Sequence, residues 1–74
     1  MCKYKLIKEI NGKKEILLFE SDLANVIKEL INIEKKLEKP YQYKASIFEI
    51  KDSNQILILK KNLTISGDFN ADYL

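Results

Sequence analysis

From Lys3 to Ile10 apolar residues alternate loosely with charged ones, and Tyr4, Leu6 and Ile10 fall on one side, as in a half-buried strand. Asn11-Gly12 follows, the strongest short hairpin signal, because both residues tolerate the positive φ of a type I′ turn. A second strand over Glu15 to Phe19 completes the hairpin. A two-residue loop sets Ile10 opposite Lys13, Lys8 opposite Glu15, Leu6 opposite Leu17 and Tyr4 opposite Phe19. One face then collects Tyr4, Leu6, Leu17, Phe19 and a Lys8–Glu15 pair. The other collects Ile7, Ile16 and Leu18 among Lys3, Lys5, Glu9 and Lys14.

The period changes after Ser21, which offers a helix N-cap with Asp22 in the first turn, where negative charge suits the dipole. At about 100° per residue, Leu23, Ala24, Val26, Ile27, Leu30, Ile31, Ile33 and Leu37 share roughly half the wheel. Pro40 closes the segment. A helix of this length is marginal alone in water, so it must lie on the sheet.

Tyr43 to Lys51 reads as a third strand and Gln55 onward as a fourth, with Asp52-Ser53-Asn54 turning between them. A loop from Asp52 to Gln55 sets Lys51 opposite Ile56, Ile50 opposite Leu57 and Phe48 opposite Leu59. Phe48, Ile50, Leu57 and Leu59 then form the core face, and Ile47, Glu49, Lys51, Ile56, Ile58 and Lys60 the reverse. Leu63 and Ile65 keep the phase of Leu57 and Leu59, so the fourth strand either runs to Ser66 or turns at Lys60-Lys61-Asn62 into a short fifth.

The expected fold is α+β, ββαββ, a four-stranded mainly antiparallel sheet with one helix packed on one face. A β-grasp order, with the first and last strands adjacent in the middle, is one such solution. Residues 1–66 form a single domain and 67–74 a C-terminal tail, part of that domain or flexible, after the break at Ser66-Gly67-Asp68.

One helix covers one face, which leaves Ile7, Ile16, Leu18, Ile47, Ile56 and Ile58 pointing away, rimmed by Lys3, Lys5, Lys14, Lys51 and Lys60. Such a patch exposes on the order of several hundred Å2, the size at which an uncovered surface begins to imply a partner. An apolar centre with a charged rim is also the anatomy of an interface. Two alternatives compete with a partner: the tail folds back with Phe69, Tyr73 and Leu74, or exposed Ile and Leu merely supply strand propensity.

Composition narrows the chemistry. The 74 residues hold 13 lysines, no arginine, no histidine and 11 acids, for a formal charge of +2. The excess of Lys, Ile and Asn without Arg fits codon bias in an AT-rich genome rather than selected lysine chemistry. Without His the usual general base near neutral pH is missing, and Cys2 has no base to activate it, so no enzyme is expected. A lone cysteine excludes an intrachain disulfide or thiolate metal cluster and fits a reducing cytoplasm. No apolar run approaches the roughly 18 residues a spanning helix needs, and no secretory signal follows the N-terminus. Neither cofactor nor metal nor membrane is expected. Asp68-Phe69-Asn70-Ala71-Asp72 imitates the opening of a calcium loop, but Tyr73 stands where glycine is required.

Glu34 and Glu38 fall inside the helix's apolar arc one turn apart, near the end where a carboxylate opposes the dipole. They are either a secondary acidic contact for a partner's cation or two acids reaching water beyond the sheet. Lys39-Pro40-Tyr41-Gln42-Tyr43-Lys44, Lys3-Tyr4-Lys5 and Lys60-Lys61 carry the basic and aromatic mixture that holds single-stranded nucleic acid.

The expected function is therefore a small non-enzymatic protein-binding module that occupies a partner's surface, or a homodimer through the same face. Size and composition suit an accessory inhibitor from a phage or mobile element, such as a counter-defence protein. The alternative is a weak single-stranded nucleic-acid-binding domain, less favoured because arginine is absent.

Overall fold

The computed structural model describes residues 3–65. The break at 66–68, the tail and Cys2 lie outside the described residues. Four antiparallel strands and one helix follow in the order β1 (Tyr4–Ile10), β2 (Lys13–Phe19), α1 (Leu23–Lys35), β3 (Tyr41–Lys51) and β4 (Asn54–Ile65). The fold is α+β with one open sheet of order β2-β1-β3-β4. The first and last strands are thus apart, and β1 and β3 form the antiparallel centre in place of a β-grasp order.

The first hairpin has the expected register, from Tyr4 against Phe19 to Ile10 against Lys13. Asn11 and Gly12 both take positive φ, 51° and 85°, as a type I′ turn requires. Asn11 also ties the turn to β3: its amide donates to the Gln42 carbonyl at 2.8 Å, and its Oδ1 accepts the Gln42 N–H at 2.9 Å. Lys8 and Glu15 form their cross-strand ion pair at 3.0 Å.

The helix starts one residue later than expected. Asp22, not Ser21, is the N-cap, extended at φ −80° and ψ 172°, and its side chain makes no capping bond. Packing holds the helix instead. Val26, Leu30 and Ile33 are buried against Leu6, Tyr43, Ala45 and Ile47 of the two central strands. Ile31 turns away from that contact and is exposed.

The second hairpin departs from expectation in its turn and in a bulge, and its last strand takes the first of the two courses left open. Its turn is only Asp52-Ser53, both at positive φ, so Lys51 meets Asn54 and Phe48 meets Leu57. The strand β4 is continuous to Ile65, with no turn at Lys60-Lys61-Asn62 and no fifth strand among the described residues. Ile58 is an extra residue, because Ile47 pairs with Leu59 while Phe48 pairs with Leu57. This bulge inverts the alternation within the apolar run, so Leu59 and Leu57 occupy opposite faces.

The phase of β3 is also the reverse of the expected one. Tyr43, Ala45 and Ile47 are buried beneath the helix, and Phe48 and Ile50 belong to the other face. The cause lies in the central pairing. Leu6 is flanked by Leu17 and Ile47, Lys8 by Ala45, and Ile10 by Tyr43, so Tyr43, Ala45 and Ile47 meet the helix as one apolar row beside Leu6 and Ile10. Thirteen helical residues span about 20 Å and the 11 of β3 about 36 Å, so the lid is shorter than the sheet.

Candidate functional site

The face away from the helix is set by the strand registers. Three rows cross the sheet: Leu18, Lys5, Phe48 and Leu57; then Ile16, Ile7, Ser46 and Lys60; then Lys14, Glu9, Lys44 and Asn62. Ile50 continues the apolar group beside the first row. Ile16, Leu18 and Leu57 are 56%, 59% and 52% exposed, whereas Ile47, in the core, is 0% exposed. No described element packs over this face.

The expected docking residues divide accordingly. Ile7, Ile16, Leu18, Lys5, Lys14 and Lys60 lie together on the reverse face. Ile47 does not: it is fully buried between Leu6 and Leu59. Ile56 pairs with Glu49 and Lys51 with Asn54, both on the helix side of the sheet, and Ile58 occupies the bulge. Their places are taken by Phe48, Ile50 and Leu57, which the sequence pattern assigns to the core, and by Lys44 and Ser46, which it does not mark as docking residues. The parity of Tyr41, Tyr43 and Ala45 carries the signal for all of these.

Long side chains surround a short one at the middle of this face. Ser46 floors a depression of about 220 Å3 whose walls include Ile7, Glu9, Lys14, Lys44 and Lys60. Lys5 Nζ stands 5.5 Å from the centroid of the Phe48 ring, within cation–π range. Among the described residues Phe48 is the only aromatic ring of the face, and it is thus already occupied on one side. The paired strands put Lys5, Lys14, Lys44 and Lys60 on this face with a single acid, Glu9. The other nine lysines among the described residues stand against eight acids, so three of the four excess positive charges lie on this side.

Glu34 is not an outward acidic contact. Its Oε2 accepts the Tyr43 hydroxyl at 3.0 Å and the Lys61 ammonium at 2.7 Å, which ties α1 to β3 and β4. Burial, then the bond to Glu34 and its charge, raise the Tyr43 pKa well above the ordinary phenol value. Glu38 lies past the helix end and lines a separate groove of about 450 Å3 with Lys8, Glu29, Lys36 and Tyr41. Positive and negative side chains are mixed there, and nothing distinguishes it as a site.

Among the described residues no group of three or more His, Cys, Asp or Glu is placed to hold a metal ion, and no helix is long and apolar enough to cross a membrane. The chain matches no protein family, no curated protein and no solved structure.

Proposed function

We propose that this chain is a protein-binding module that works by occupying the surface of another protein through the reverse face of its sheet. The observation that carries the reading is the exposure of Ile16, Leu18 and Leu57, each more than half exposed, on a face that no described element covers. Burying such side chains against a partner is worth roughly 25 cal/mol per Å2 of apolar surface removed from water. Flanking lysines orient the encounter and discourage wrong partners. The activity needs no reacting group: a sheet face laid on a partner blocks whatever that surface otherwise meets.

The test is amine cross-linking of the full chain to proteins of its native host, with the linked residues located by mass spectrometry. Cross-links concentrated at Lys5, Lys14, Lys44 and Lys60 are expected. The complex should disappear in Ile16→Lys with Leu57→Lys while the circular dichroism spectrum is retained. Cross-links at Lys28 and Lys35 of the helix and at Lys36 just past it, with binding intact in the double variant, would place the partner elsewhere and overturn the proposal.

A further inference from the structure

We propose that the partner is an acidic protein surface, one in which carboxylates surround an aliphatic or aromatic cluster. The inference rests on the docking role of the reverse face and adds the chemistry of its occupant. Three observations carry it. First, the four lysines and one glutamate that the strand registers place on this face carry three of the four excess positive charges of the described residues, while the remainder is nearly balanced. A partner that docks here must supply negative charge or bury like charges at a cost. Second, the lysines are arranged around a receptor. Lys14, Lys44 and Lys60 ring the depression above Ser46, which has room for a carboxylate side chain, and Glu9 occupies only one part of its wall. Third, the surface beside that depression is apolar, with Ile7, Ile16, Leu18, Phe48 and Leu57 in adjoining rows.

The same lysines could meet phosphates, but the rest of the face argues for protein. Single-stranded nucleic acid is held by aromatic platforms on which bases stack. Here Phe48 is the one aromatic ring of the face among the described residues, and Lys5 stands over it. The other apolar members are branched aliphatic side chains, which pack against aliphatic and aromatic side chains rather than present a flat ring to a base. An acidic, apolar protein surface satisfies both the charge and the grease; a phosphate backbone satisfies only the charge.

The probe is a short synthetic peptide in which aspartate alternates with leucine and phenylalanine, titrated into the isotope-labelled full chain and followed by amide NMR shifts. Two ligands are compared with it: the same peptide with asparagine at every aspartate, and oligo-thymidylate. The acidic peptide is expected to shift the amides of Ile7, Ser46 and Phe48 and to bind on the order of tenfold more tightly than its asparagine counterpart. Lys44→Glu with Lys60→Glu should abolish that preference without changing the circular dichroism spectrum. Equal affinity for the two peptides at the same amides overturns the acidic partner and leaves the docking face standing. No shift with either peptide, together with partner capture that survives Ile16→Lys with Leu57→Lys, overturns both. No shift with the acidic peptide overturns the charge inference even if capture is lost in that variant. Tighter binding of oligo-thymidylate at these amides replaces the protein partner with nucleic acid. Concentration-dependent broadening of the same amides in the free chain replaces it with a second copy.

Discussion

Two isoleucines on opposite faces of the sheet should respond differently to the loss of one carbon. Ile47 is 0% exposed between Leu6 and Leu59, whereas Ile16 on the reverse face is 56% exposed. Ile→Val keeps the β-branch and the strand propensity, so the comparison isolates burial. At Ile47 the lost transfer energy is about 0.8 kcal/mol for one methylene. A cavity between the helix and the central strands adds to it, giving about 1–1.5 kcal/mol. At Ile16 less than half of the side chain is shielded, so the cost is about 0.3 kcal/mol. Small domains have urea m-values of about 1 kcal/mol/M, which makes the expected midpoint shifts about 1 M and about 0.3 M. The assay is urea denaturation of both variants followed by circular dichroism, with m checked for constancy. Equal losses would mean that the reverse face is covered in solution, and the docking surface would then not exist. A negligible loss at Ile47 would refute the packing of the helix over β3.

Tyr43→Phe removes the hydroxyl that donates to Glu34 but leaves Lys61 on that carboxylate, so a loss of about 1 kcal/mol at pH 7 is expected. Because Tyr43 stays protonated in the fold to a higher pH than in the unfolded chain, its contribution is complete below about pH 10. Above that pH it declines by at most about 1.4 kcal/mol per unit, less where water screens Glu34. Urea midpoints of wild type and variant should therefore converge as pH rises past 10, and a constant gap would contradict the assignment. Ser53 holds φ at 71°, where a side chain is strained, so Ser53→Gly should stabilise the chain by about 0.5–1 kcal/mol. That corresponds to a rise of a few degrees in Tm; a fall would show that the side chain contributes something the turn geometry does not reveal.

The first hairpin is legible in the sequence because its turn chemistry and its alternation agree: Asn11-Gly12 permits one register, and that register pairs Leu6 with Leu17. The helix is legible from its apolar arc. In β3 the two ends of the strand point opposite ways. Tyr41, Tyr43, Ala45 and Ile47 argue for one inward face, Phe48 and Ile50 for the other, and only the pairing with Leu6 and Ile10 decides. The β3–β4 turn is obscured because Asp52 and Ser53 adopt the left-handed region although neither is glycine, and three polar residues in a row allow several loop lengths. The bulge leaves no trace, since Ile56-Leu57-Ile58-Leu59 is apolar whichever residue is extra. The inverted phase of β3 and the bulge in β4 account for every docking residue that the pattern misplaces: Ile47, Ile56, Ile58 and Lys51 on one side, Phe48, Ile50 and Leu57 on the other.

The irregularity at Ile58 also bears on the open border of the sheet. As the outermost strand on its side of the sheet, β4 offers a long border of peptide groups to which any passing extended chain could attach. An inserted residue throws the spacing of those groups out of step partway along and bends the strand there, so an incoming chain can match one stretch or the other but not both. A sequence as greasy as Ile56 to Leu59 is thereby a poorer template for fibril growth than an unbroken edge strand.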